Sequence, residues 1–204
     1  MVDMLSTGPA DAQMTLVLAH GAGAPMDSPF MEAFAEGLAA AGVRVVRFEF
    51  PYMAGRRTGG RRPPDREPVL LQTWRDVVAE LGGGPRLAIG GKSMGGRMAS
   101  MVADELGVRA LVCLGYPFHA PGRMPGTRIA HLAALRTPAL IVQGTRDSFG
   151  KPDEVGDYPL SPSVQVHWLE DGDHDFKPRA ASGRTQRQNR DEGIAAVVAF
   201  LRQF

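Results

Sequence analysis

One cysteine in 204 residues, Cys113, leaves this chain no disulfide framework and no thiolate metal cage. It stands in the apolar run ALVCLG, the setting of a buried, inert thiol. No run approaches the roughly 18 consecutive apolar residues that span a bilayer. The N-terminal MVDMLSTGPADAQMTLVLAHG has neither a basic start nor an apolar stretch long enough for a secretory signal. These absences point to a cytoplasmic protein with no membrane partner. An excess of one charge is missing too. A formal net charge of +1 supplies no global field to gather nucleic acid. There is no internal repeat. What remains, 44% hydrophobic and 22% charged, suits one soluble globular domain over residues 1–204 with its own core.

The apolar residues come in short runs: MTLVLAH (14–20), VRVVRFEF (43–50), RLAIGG (86–91), RALVCLG (109–115), PALIVQG (138–144) and VQVHWLE (164–170). These read as strands, several apolar nearly throughout, as expected for strands covered on both faces. Amphipathic segments lie between them. SPFMEAFAEGLAAAG begins with Ser28 in N-cap position and Pro29 at the first helical position. EPVLLQTWRDVVAELGGG, SMGGRMASMVADELG and EGIAAVVAFLRQF follow as further helices. Alternating strands and helices imply the α/β class: a mostly parallel, doubly wound sheet of about six strands with helices on both faces. In such sheets ligands meet the carboxyl ends of the strands.

That rule makes IGGKSMGGRMAS notable. Gly91-Lys92-Ser93-Met94-Gly95 follows a strand and opens a helix. On so sharp a turn a serine is strained and its hydroxyl stands clear of the sheet. A chain with 25 glycines meets the G-x-S-x-G pattern by chance only about 0.1 times, and the flanking strand and helix add weight. A serine nucleophile needs a base, and the base an orienting carboxylate. Asp147 follows the strand PALIVQG, and His174 follows VQVHWLE. Asp153 and Asp157 stand further from a strand end. A tetrahedral oxyanion needs two backbone N–H donors. Met94 N–H is one, and HGAG after the first strand supplies the other from Ala22, with Gly21 as the alternative.

HGAGAPMDSPFM, FEFPYMAGRR, GGKSMGGRMAS, GYPFHAPG, QGTRD and DGDHDF together resemble an α/β-hydrolase over nearly the whole length, with the nucleophile–acid–base order of that superfamily. The chain is similar to the dienelactone-hydrolase-like group, and within it to a small family named after a testis-expressed protein and a subunit of the NSL chromatin complex. Unlike larger hydrolases of this fold, the sequence is read as starting directly on the strand before HGAG, with no segment long enough for a cap domain and hence with an open site. Two positions depart from the resemblance. Dienelactone hydrolases use a cysteine nucleophile where this chain has Ser93. Many relatives carry a histidine where this chain has Lys92, read here as structural or solvent-facing.

The remaining polar residues have simpler readings. With His174 as base, His20 is a structural residue bonding nearby backbone. Tyr116, Phe118 and His119 follow a strand and are taken to line the substrate pocket, with simple packing of the loop as an equal alternative. His131 and His167 need no special role. EDGDHD lacks the register of a calcium loop, and no metal is assigned to it. Segments 56–66 and 177–190 hold ten of the chain's 23 lysines and arginines and are read as loops at the site's edge. The plain reading is two solvated loops; the sharper one is that Arg56 and Arg57, with Arg61 and Arg62, attract an anionic ester or an acidic partner there. No aromatics interleave these basic segments, which argues against a nucleic-acid partner.

The expectation is a serine hydrolase, carboxylesterase-like, that cleaves a small carboxylic ester or related thioester through an acyl-enzyme and needs no cofactor. The competing expectation is a non-catalytic binding or scaffold protein on the same fold.

Overall fold

The computed structural model describes residues 2–60, 62–120 and 127–204, so Arg61 and the end of the GYPFHAPGR segment lie outside the described residues. In chain order the elements are β1 (Met4–Thr7), β2 (Thr15–Ala19), α1 (Pro29–Ala40), β3 (Arg44–Phe48), α2 (Pro51–Arg57), α3 (Glu67–Glu80) and β4 (Leu87–Lys92). There follow α4 (Met94–Leu106), β5 (Ala110–Leu114), α5 (Thr127–Ala130), β6 (Ala139–Gly144), α6 (Pro152–Val155), β7 (Val164–Leu169) and α7 (Gln186–Leu201). The strands form one sheet in the order β1-β3-β2-β4-β5-β6-β7. All neighbours are parallel except β1, which runs antiparallel to β3.

The period-two alternation of a strand explains the two layers of helices. Leu16 and Leu18 of β2 face one cluster with Met31, Phe34 and Leu38 of α1 and Val197 and Leu201 of α7. Val17 and Ala19, between them, face the other cluster, with Leu70, Trp74 and Val77 of α3 and Met98 and Val102 of α4. Strand β5 splits the same way, Val112 to the first layer and Leu111 and Cys113 to the second. Neither face of these central strands meets water, so nearly every position must be apolar. Cys113 is fully buried, and burial pushes its thiol pKa up, which keeps it inert.

The mostly parallel α/β architecture is the expected one, and three details differ from expectation. The sheet has seven strands, because β1 adds an antiparallel edge ahead of the first expected strand. Arg56 and Arg57 sit on a helix, since Pro51 at the first helical position starts α2 directly after β3. The last helix begins at Gln186 rather than near Glu192. The Thr185 hydroxyl accepts from Gln188 N–H at 3.2 Å and the Gln188 side chain accepts from Thr185 N–H at 2.8 Å, a capping box inside the basic segment. No cap domain stands over the strand ends among the described residues. None of their helices is long and apolar enough to cross a membrane.

Candidate active site

Strand β4 ends at Lys92 and α4 begins at Met94, leaving one residue to make the turn. Ser93 makes it at φ 50, ψ −114, a region costly for a side-chain-bearing residue. The flanking glycines are there for room. A Cβ on Gly91 would lie 2.3 Å from the Ala19 carbonyl oxygen, and one on Gly95 2.5 Å from the same atom. Both obstacles are backbone of β2, which the sheet holds in place. The turn is thus packed against the end of β2, and the serine side chain is left half-buried at the sheet's carboxyl edge.

His174 arrives from the loop after β7. Its Nε2 lies 2.9 Å from Ser93 Oγ and its Nδ1 2.7 Å from Asp147 Oδ2. Asp147 is fully buried after β6, so it needs every partner it has. Its Oδ1 accepts from Phe149 N–H at 2.9 Å, and Oδ2 also accepts from the Gln143 amide at 2.9 Å. The carboxylate accepts, so Nδ1–H donates to it and Nε2 is left to accept the Ser93 proton. Residues 93, 147 and 174, far apart in sequence, form one hydrogen-bonded line with the polarity a general base requires. The Phe149 ring lies 4.4 Å from the imidazole, centre to centre, and walls its outer side.

The loop that carries His174 is held by its own acids. Asp173 Oδ1 accepts from the backbone N–H of Asp175 and of Lys177, both at 2.9 Å. Asp171, at φ 54, accepts from the backbone N–H and guanidinium of Arg179 and pairs with Arg146 at 3.0 Å. The carboxylates of Asp171 and Asp173 therefore build the turn. Lys92 reaches in from beneath. Its Nζ donates to the His174 carbonyl, stands 3.3 Å from Asp175 Oδ1 and lies 5.1 Å from the centre of the Phe30 ring. Only 9% of its side chain is exposed. Burial lowers the Lys92 pKa, and the carboxylates of Asp175 and Asp147 oppose that shift. Lys92 thus faces the interior rather than solvent, and it ties the end of β4 to the loop that carries His174.

The HGAG strap follows β2. Gly21 borders the turn, since a Cβ on it would lie 3.7 Å from the Ser93 Cβ. His20 is fully buried and bonds backbone on both sides: Nε2 accepts from Phe50 N–H at 3.1 Å, and Nδ1 is 2.6 Å from the Gly21 oxygen. Neither Met94 N–H nor Ala22 N–H donates to an acceptor among the described residues.

Of the two readings for Tyr116, Phe118 and His119, the contacts are those of loop packing. Tyr116 and Phe118 are fully buried. The Tyr116 hydroxyl donates to the Arg128 carbonyl at 2.9 Å, and its ring packs 4.9 Å from that of Phe118. His119 pairs its Nε2 with Glu154 at 3.3 Å and its Nδ1 with the Ala120 carbonyl at 2.9 Å. These three tie the loop after β5 to its neighbours. Arg57 is likewise engaged, bridging buried Glu49 at 2.7 Å and Asp27 at 2.8 Å, and both bonds raise its pKa further. Arg56 donates to the Arg62 carbonyl at 2.8 Å and stands 5.0 Å over the Tyr52 ring. Sequence reasoning gave no role to Gln143, Phe149 and Tyr52, which touch this constellation, although QGTRD contains the first and FEFPYMAGRR the last. A separate groove of about 540 Å³ opens at the opposite ends of the strands, among Arg86, Arg109 and Arg202, and contains none of these groups.

Residues 12–202 match the family described as an alpha/beta hydrolase domain. An alpha-beta serine hydrolase homologue from Coxiella burnetii superposes with a TM-score of 0.72 at 20% identity, covering 95% of this chain and 90% of that one. A serine hydrolase without lid from Xanthomonas campestris gives 0.70 at 20% identity, over 96% and 88%. The esterase domain of a Rhodothermus marinus protein gives 0.71 at 15% identity, over 99% and 92%. Likeness at these identities is likeness of fold.

Proposed function

This chain belongs to the α/β-hydrolase family, and we propose that it is a serine hydrolase cleaving a small carboxylic ester or the related thioester. The observation that carries the reading is the line from Ser93 Oγ through His174 to buried Asp147, at 2.9 and 2.7 Å. Ser93 Oγ attacks the acyl carbon as its proton passes to His174 Nε2. The imidazolium formed is stabilised by Asp147, and it returns the proton to the leaving oxygen or sulfur. The N–H groups of Met94 and Ala22 receive the oxyanion. A water then attacks the acyl-enzyme, gives its proton to His174, and the acid departs as Ser93 is re-protonated. Water is the only co-reactant.

The quoted motifs favour the dienelactone-hydrolase-like group and the small family named above, with serine in place of the dienelactone-hydrolase cysteine. An anionic acyl or leaving group falls to Arg56, because Arg57 is already paired with two carboxylates. Pre-steady-state hydrolysis of p-nitrophenyl acetate and of an acetyl thioester tests the reading. The wild type should release a burst of leaving group equal to the enzyme concentration, and Ser93→Ala should release none. Equal rates in the two proteins would remove Ser93 from the chemistry and favour a binding protein on the same fold.

A further inference from the structure

A trans peptide fixes its C=O and N–H on opposite sides of one plane. Whatever pins the Gly21 oxygen therefore sets the direction of Ala22 N–H. Two side chains pin it. His20 Nδ1 lies 2.6 Å from that oxygen, and the Tyr52 hydroxyl donates to it at 3.3 Å. The same hydroxyl donates to the Ala22 oxygen at 3.1 Å, a three-centre bond that ties two successive peptides to one ring. Tyr52 is itself held firmly. It is 2% exposed, it lies in the first turn of α2, and its N–H donates to Asp65 Oδ2 at 2.8 Å.

We infer that Tyr52 is a positioning residue, whose hydroxyl holds the Gly21–Ala22 peptide with its N–H turned toward the oxyanion above Ser93. The inference rests on the serine-hydrolase reading. It assigns to α2, an element without any group in the line of three, the task of orienting one of the two oxyanion donors. The chemistry of the side chain fits. Burial pushes the Tyr52 pKa up to about 12, so the phenol remains a neutral donor across the working pH range. His20 must be the Nδ1–H tautomer, since Phe50 N–H occupies Nε2, and burial lowers its pKa and preserves that form. Were the peptide released, it could rotate and present the Gly21 carbonyl, an acceptor, where the oxyanion needs a donor.

Tyr52→Phe removes one oxygen and leaves the ring packing intact. Loss of a whole oxyanion donor costs on the order of 100- to 1,000-fold in kcat, so loosening one should cost roughly 10-fold or more. The experiment measures p-nitrophenyl acetate hydrolysis, inhibition by phenylboronic acid, whose tetrahedral serine adduct places an oxygen in the same position, and the unfolding midpoint. The inference expects kcat to fall by about 10-fold or more, KM to stay within about two-fold, and boronate inhibition to weaken in step with kcat. Unchanged kcat in Tyr52→Phe beside an active wild type overturns the inference and leaves the Ser93 reading standing. A fall in kcat accompanied by a matching rise in KM and a lowered midpoint also overturns it, as general loosening. A wild type with no activity that depends on Ser93 overturns both.

Discussion

Asp147→Asn changes one atom in a site where every hydrogen-bond position is already assigned. The carboxylate accepts from three donors, Phe149 N–H, the Gln143 amide and His174 Nδ1–H. An asparagine offers one acceptor oxygen and one NH2. If the oxygen remains toward Phe149, the new NH2 faces the Gln143 NH2 and the imidazole. Gln143 cannot turn over to accommodate it, because its Oε1 accepts from Tyr116 N–H at 2.7 Å and its Nε2 also reaches the Tyr116 carbonyl at 3.2 Å. The imidazole must yield instead. It adopts the other tautomer, accepts at Nδ1 and presents Nε2–H to Ser93, where no base is then left. Loss of the correct tautomer costs about 10,000-fold in kcat in triad enzymes, and the mismatched buried NH2 groups cost about 1–3 kcal/mol of stability. Steady-state hydrolysis of p-nitrophenyl acetate measures the first and urea unfolding the second. Activity within about ten-fold of the wild type would refute the tautomer argument.

Four further outcomes follow from named contacts. Gly95→Ala places a methyl 2.5 Å from the Ala19 oxygen and 2.6 Å from the His20 oxygen, so it should cost about 2 kcal/mol or more; an unfolding midpoint equal to the wild type's would contradict the packing of the turn. Lys92→Met removes the bond to the His174 carbonyl but also a buried ammonium, so stability should stay within about 1 kcal/mol while kcat falls about ten-fold; an unaltered kcat would show that the loop holds His174 without help. Burial lowers the pKa of both His20 and His131, so the unfolded chain binds protons that the fold refuses. Their contribution is complete above the ordinary histidine pKa of about 6.5 and is lost as pH falls below it, so urea midpoints should drop from pH 7.5 to 5.5, with a shallower drop in His131→Gln. Arg56→Ala should raise KM for a succinate half-ester more than for an acetate ester, and equal rises would remove the anionic-substrate proposal.

The central strands were legible because both their faces are covered, which forces short apolar runs that end where the chain turns. Strand β1 lacked that signal. MLST is four residues at a sheet edge, with Leu5 and Ser6 exposed, and its pairing to β3 is a contact at a distance of some forty residues. The start of α7 was obscured because its first turns, QRQN, carry no apolar stripe, although Thr185 and Gln188 were available as a capping signal. Ser93, Asp147 and His174 could be placed because each follows a strand, and strand ends share one edge of a parallel sheet. The same rule left substrate contact and loop packing undecided for Tyr116 and Phe118. Position after a strand locates a backbone, whereas the direction of a side chain depends on partners such as Arg128 and Tyr158. Tyr52 escaped notice for a related reason. Its role lies in two hydrogen bonds to backbone some thirty residues away, and no local pattern encodes them.

The most direct measurement is reaction of the folded protein with a fluorophosphonate, followed by intact-mass and peptide mass spectrometry, beside Ser93→Ala. An activated serine predicts one adduct per chain, located on Ser93 and absent from the variant. A folded wild type that takes up no adduct, or carries it on another residue, would contradict the claim that Ser93, His174 and Asp147 act together as a nucleophilic site.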